Sequence, residues 1–155
     1  VSASRLDIRP ALLEDLSHLT ALYTHLNPND PPCPPETAAE ALGSINALKG
    51  SAVLIGVFDG ILVTSCTVFV LPNLTRGGDP YALIENVVTH SDFRNRGFGK
   101  AILKAASQQA FGAGCYKAML LTGSKQPETL SFYKSAGFVQ DKTGFQIRNI
   151  PVRPE

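Results

Sequence analysis

One mixed α/β sheet with helices on both faces is the fold class that this chain of 155 residues predicts. Three observations carry that expectation. Segments of helical period alternate with short β-branched and apolar runs along the chain. Two such runs, in "SAVLIGVFDGILVTSCTVFVLP", are joined by Asp59-Gly60, a dipeptide that accepts the positive φ angles of a tight hairpin turn. Finally, "ENVVTHSDFRNRGFGKAIL", Glu85 to Leu103, sets a strand directly before a knot of Arg and Gly, and the knot before a helix.

The elements follow in order. Leu6 to Arg9 alternates and reads as a short strand that stops at Pro10. From Ala11, the positions Leu12, Leu13, Leu16, Leu19, Leu22, Tyr23 and Leu26 recur at helical spacing. Five prolines between Pro28 and Pro35 then fix backbone angles and remove donors, which predicts a stiff loop. A second helix is expected from Glu36 to about Leu48, closed by Gly50. The hairpin comes next, then the loop "NLTRGGDP" and the strand "YALIENVVTH". Residues 97–111 place Ile102, Leu103, Ala106 and Ala110 on one helical face, and "YKAMLLTG" is apolar enough for a buried strand. "PETLSFYKSAG" reads as a helix with Pro127 in its first turn and Gly137 at its stop, and "FQIRNI" as a final strand. The expected sheet has about seven strands in a single domain, 1–155.

Composition narrows the function. Hydrophobic residues make up 44% and charged residues 17%, values of a soluble globular chain. No apolar run approaches the ~20 residues that span a bilayer, which argues against a membrane partner. The first ten residues, "VSASRLDIRP", lack the long uncharged stretch of a secretory signal, so a cytoplasmic protein is expected. A net charge of +1 without a basic block outside the knot argues against nucleic acid as the main partner. Cys33, Cys66 and Cys115 are far apart with no C-x-x-C pair, so reduced thiols are expected and no metal site.

Two arginines and two glycines at the mouth of a helix have a physical use. The first turn of a helix presents unpaired N–H groups and the positive end of the helix dipole. Gly97 and Gly99 leave that backbone open to approach, and Arg94, Arg96 and Lys100 add donors that pair with phosphate. A diphosphate is the simplest ligand for the set. A Walker loop is excluded because Ala101, not Ser or Thr, follows Lys100, and a Rossmann fingerprint because Ile102 stands where a small residue is needed.

What remains, Arg94-Asn95-Arg96-Gly97-Phe98-Gly99, matches R/Q-x-x-G-x-G/A and resembles the acyl-CoA signature of the GNAT N-acetyltransferase superfamily. "SFYKSAGF", Ser131 to Phe138, is similar to that family's second segment, and the order of elements follows its fold from end to end. The resemblance implies a mostly antiparallel sheet with one splayed pair of strands. It implies acetyl-CoA as co-substrate, with Asn95 to Lys100 on the pyrophosphate and Val87, Val88 and Thr89 pairing with the pantetheine like an added strand. Tyr133 takes the position of the residue that protonates the leaving thiolate, with a structural tyrosine as the alternative. Gln126 stands where relatives carry an Asn that touches the cofactor.

The base that deprotonates the amine is less evident. The strand position that carries a Glu in some relatives is Leu121 here. Glu85 is the substitute, on the expectation that Glu85, Val87 and Thr89 share one face of their strand; a solvated Glu85 is the alternative, and His90 reads as a loop residue. The implied reaction is direct acetyl transfer from acetyl-CoA to the primary amine of a small molecule in a ternary complex. Protein N-termini or lysines, and a catalytically silent CoA-binding module, are the rivals. The acidic residues Asp30, Glu36, Glu40, Asp79 and Glu85 suit a cationic acceptor. The family also suggests a homodimer.

Overall fold

The computed structural model describes residues 4–152. These residues form two compact units, divided between Leu120 and Leu121.

The first unit is built on a five-stranded sheet in the order β1-β2-β3-β4-β5. Strand β1 (Asp7–Pro10) leads through a single 3-10 turn to helix α1 (Leu16–Tyr23). The proline loop follows, and helix α2 (Pro35–Ala47) starts with Pro35 in its first turn, where a missing N–H costs nothing. Strands β2 (Ala52–Phe58) and β3 (Ile61–Leu71) form the expected hairpin. Its turn residues Asp59 and Gly60 have φ of 49° and 77°, the left-handed angles that a tight turn demands. Strand β4 (Tyr81–Thr89), helix α3 (Phe98–Gly112) and the short strand β5 (Ala118–Met119) complete the unit.

Both faces of the sheet are covered, which explains why β2 and β3 read as continuous apolar runs. One face carries Val53, Ile55 and Val88 against Ala11, Leu19, Leu22 and Leu42 of the first two helices and their approach. The opposite face packs on α3, whose Ile102, Leu103, Ala106 and Ala110 are fully buried. Cys66 reaches this side, its Sγ 4.0 Å from the carbonyl of Ile102. Buried polar groups are partnered: Ser65 Oγ donates to the Leu54 carbonyl at 2.8 Å and Thr64 Oγ1 to that of Val88 at 2.9 Å.

Helix α4 (Pro127–Ser135) belongs to the second unit. Gly137, with φ of 97°, stops it as expected. The described residues contain five strands rather than about seven. "YKAMLLTG" is reduced to the two residues of β5, and "FQIRNI" forms no strand. Alternation alone does not make a strand: Phe145 and Ile147 are almost wholly exposed, with no partner ladder to satisfy their backbone.

Candidate active site

Strand β4 is interrupted. In its antiparallel pairing with β3, Thr67 faces Glu85 but Ser65 faces Val88, so two residues of β4, Asn86 and Val87, stand opposite Cys66 alone. Asn86 has φ of 55°, and this is a β-bulge, the device that bends a strand and releases part of its edge. On the other side, β4 pairs in parallel with β5 only at Ala82 and Leu83. Among the described residues, the β4 edge toward β5 carries no strand pairing from Ile84 to Thr89.

The bulge corrects one expectation. Glu85, Val87 and Thr89 do not share a face. Glu85 shares its face with Val88, because their partners Thr67 and Ser65 are two residues apart, whereas Thr89 pairs with Thr64 on the α3 side. The two threonine hydroxyls lie 3.0 Å apart there. Glu85 is half-buried on the α1 and α2 side, close in register to Thr67. Tyr23 of α1 enters the same region, where burial pushes its phenol pKa up and hydrogen bonds with Thr67 and Ser65 partly offset the rise.

Beyond Thr89 the chain makes the Arg-Gly turn. Asn95 and Gly97 both take left-handed angles, φ of 61° and 81°. A Cβ built on Gly97 would meet nothing within 4 Å, so glycine is needed here for its backbone angle and the space before it is open. Gly97 is the N-cap of α3 and no side chain caps the helix. The first amide bonded within it is that of Ala101, to the Gly97 carbonyl at 3.0 Å, so the N–H groups of Phe98, Gly99 and Lys100 have no intrahelical acceptor.

The arginines are held in different ways. Arg94 donates Nε to the Thr89 carbonyl and Nη2 to that of His25, both at 3.3 Å, bracing the turn against the end of α1. The Arg96 guanidinium lies 4.8, 5.2 and 5.5 Å from the ring centroids of Phe58, Phe98 and Phe93. Such stacking orders a cation while leaving its edge free for an anion. Phe98 and Val88 are buried, so among the expected cofactor residues these two offer main chain only. Lys100 and Asn95 are exposed.

In the second unit, Tyr133 is half-buried beside Phe132 and Phe138, at centroid distances of 5.0 and 6.4 Å. Gln126 is the N-cap residue of α4, its N–H 3.3 Å from Ser124 Oγ, and its side chain does not cap the helix. Cys66 is no nucleophile, since burial pushes its thiol to about 12. No group of three or more His, Cys, Asp or Glu residues suited to a metal occurs among the described residues. Two open depressions, of about 670 and 740 Å³, lie between β1 and the stretch of α3 from Ala101 to Gln108, and at the C-terminal end of α3. An exposed strand edge leading to a helix end is a surface of amides, and its shape alone does not mark it.

Comparison with known proteins decides the family. The model of the acetyltransferase (GNAT) family matches residues 19–138. The chain belongs to the GNAT acetyltransferase family. Among the relatives of this acetyltransferase is the glucosamine 6-phosphate N-acetyltransferase of Trypanosoma brucei brucei, 30% identical over 86% of this chain and 88% of the relative. Glucosamine 6-phosphate N-acetyltransferase 1 of Oryza sativa subsp. japonica is 29% identical over 86% and 81%. A solved structure from Agrobacterium tumefaciens str. C58, assigned as an acetyltransferase, is 45% identical with a TM-score of 0.86, covering 92% of this chain and 99% of its own.

The position of the bulge at Asn86, the placement of Tyr23 and the phenylalanine seat of Arg96 do not follow from the sequence alone. Asn86 carried a usable signal, because Asn is enriched at left-handed angles and is rare inside a strand. The seat of Arg96 carried only part of one: Phe93 and Phe98 are near neighbours of Arg96 in the chain, but Phe58 comes from the end of β2.

Proposed function

We propose that this acetyltransferase moves an acetyl group from acetyl-CoA to the amine of a phosphorylated amino sugar, by direct attack in a ternary complex. The observation that carries the reading is the continuity of a released strand edge on β4 with three unpaired amides at the head of α3. An extended amide-bearing chain ending in a diphosphate matches that sequence of donors and acceptors. Backbone groups of Val87, Val88 and Thr89 take the pantetheine. Asn95, Arg96, Gly97, Phe98, Gly99 and Lys100 take the pyrophosphate, with Arg94 bracing the turn, and Gln126 is a further cofactor contact. The acceptor class comes from the relatives named as glucosamine 6-phosphate N-acetyltransferases.

In the reaction the amine nitrogen attacks the thioester carbonyl, forming the N–C bond, and a β4 amide near Val87 or Val88 polarises the oxygen. The C–S bond then breaks. Tyr133 gives its proton to the departing thiolate, and the proton that the attacking nitrogen sheds on becoming an amide restores the phenol through solvent. The amine must first lose a proton, and Glu85, half-buried opposite Thr67, receives it through water. We read residues 1–155 as one functional domain, because the family match runs across the division after Leu120. The three free thiols fit a cytoplasmic protein, and the exposed Phe145, Ile147 and Ile150 fit a homodimer, which sedimentation would test.

Calorimetric titration with acetyl-CoA, with ATP and NAD as controls, tests the cradle. Micromolar binding of acetyl-CoA alone is expected, and no binding overturns the reading. Incubation with glucosamine 6-phosphate and with peptide amines then tests the acceptor. Good turnover of peptides alone would replace the amino sugar. Leu121, in place of a carboxylate, favours a second reading as a CoA-binding regulatory module, for which binding without transfer to any amine is the signature.

A further inference from the structure

The joint between α1, β4 and the Arg-Gly turn contains two histidines that the proposed reaction does not use. His25, just beyond α1, and His90, at the end of β4, have ring centroids 4.0 Å apart and a tilt of 37°. Each accepts a backbone N–H on Nδ1, His25 from Ser91 at 3.3 Å and His90 from Asp92 at 3.1 Å. Arg94 crosses the same joint to the carbonyls of Thr89 and His25. His90 then meets Phe93 edge-on at 5.4 Å, and Phe93 is part of the seat of Arg96. A continuous run of rings thus links the end of α1, where the proline loop begins, to the head of α3.

An imidazole that accepts on Nδ1 is neutral and carries its proton on Nε2. A second proton must enter at Nδ1, against the amide N–H already there. The ring then has to turn away, and the hydrogen bond and the stack are lost together. The charged or titratable groups facing His25 are His90, Arg94 and Asp92; burial, then His90 and Arg94, hold its pKa below the ordinary histidine value against the opposing pull of Asp92. The unfolded chain therefore takes up this proton first. The stability contributed by neutral His25 is complete above about pH 6.5 and is lost as the pH falls through the lower folded-state value.

We infer that His25 and His90 are positioning residues: stacked on each other, they hold the Arg-Gly turn against the end of α1, and protonation of His25 frees the turn and the proline loop at once. The consequence for ligand rests on the proposed reading of the turn as the diphosphate site. Acidification then weakens acetyl-CoA binding. Added positive charge would by itself attract the diphosphate, but exposed charges are screened over about 8 Å at physiological ionic strength. Loss of the joint acts on the cradle itself and outweighs that attraction.

The test uses the full chain at about pH 8 and about pH 5.5, on either side of the ordinary histidine pKa. Hydrogen exchange at Ser91, Asp92 and residues 24–34, corrected for intrinsic rates, requires no ligand. About tenfold faster opening at the lower pH is expected for the wild type. The double variant His25→Asn/His90→Asn, whose amide oxygens accept the same N–H groups and do not titrate, is expected to show no such change. Equal protection at both pH values in the wild type overturns the inference, as does an unchanged pH dependence in the variant. If the variant unfolds at pH 8, the wild-type exchange comparison alone decides.

Acetyl-CoA titration is the second readout. A Kd about tenfold weaker at the lower pH, flat in the variant, is expected. Binding that is unchanged or tighter at low pH overturns the link to the ligand. Absence of binding at both pH values, with the exchange switch intact, overturns the reading of the turn instead.

Discussion

Strand β4 is bracketed by two turns of similar composition. Before it stands Thr75-Arg76-Gly77-Gly78, and after it Arg94-Asn95-Arg96-Gly97-Phe98-Gly99. Both use left-handed backbone: φ is 55°, 69° and 89° at Arg76, Gly77 and Gly78, and 61° and 81° at Asn95 and Gly97. Both hold an arginine over aromatic rings, Arg76 over Tyr116 at 5.3 Å and Arg96 over three phenylalanines. They differ in where their amides go. In the first turn Gly78 and Asp79 donate to the carbonyls of Thr75 and Arg76, and the chain passes into a strand. In the second the chain passes into a helix of 15 residues whose opening amides lack intrahelical partners. Arginine and glycine together are therefore only a turn, and the helix behind the second adds the free amides on which the proposed diphosphate site rests.

The largest expected effect separates chemistry from the turn. Tyr133→Phe should lower turnover by about 10²-fold or more, the usual worth of a general acid, while acetyl-CoA affinity stays within about twofold by calorimetry. Unchanged turnover would remove Tyr133 from the mechanism. Next come the matched glycines. Gly97→Val and Gly77→Val each force a branched residue to positive φ, at roughly 1–2 kcal/mol of stability in thermal unfolding. Only the first should also weaken acetyl-CoA, by about tenfold or more, because its side chain enters the cradle; equal losses in both would break the distinction. Arg96→Ala should weaken binding about tenfold, corresponding to one charge-assisted hydrogen bond, and should flatten its salt dependence, whereas Arg76→Ala should leave both intact.

A smaller effect concerns the bulge. Asn86→Gly should be nearly neutral for stability and Asn86→Val should cost about 1 kcal/mol, since only the latter resists the left-handed angle. The smallest lies far from both turns. The Arg9 hydrogen bond, and less strongly the Leu12 N–H, hold the Asp15 pKa below its ordinary 3.8 despite some desolvation. This contribution is present above about pH 4 and is lost as the pH falls through the lower folded value, so Asp15→Asn should make acid unfolding slightly less steep.

Much of the fold was legible because local rules were strong and unopposed. Asp59-Gly60 named its turn, Pro35 and Pro127 opened helices, Gly137 closed one, and Gly97 stood at the head of α3. Legibility failed where pairing had to be supplied from elsewhere. Phe145 and Ile147 alternate as a strand does, yet a strand exists only with a partner ladder. The face of Glu85 was misread because period-two counting presumes an unbroken strand, and the extra residue at Asn86 shifts everything beyond it by one.

The sequence by itself determined the two motifs, their order and the chemistry they can support, because a helix start, a left-handed glycine and a set of cations are local properties. Only the tertiary structure decided where β4 is bulged, that Arg94 braces rather than reaches outward, and that His25 meets His90. Each of these depends on residues distant in the chain coming within a few ångströms, and no local preference encodes that distance.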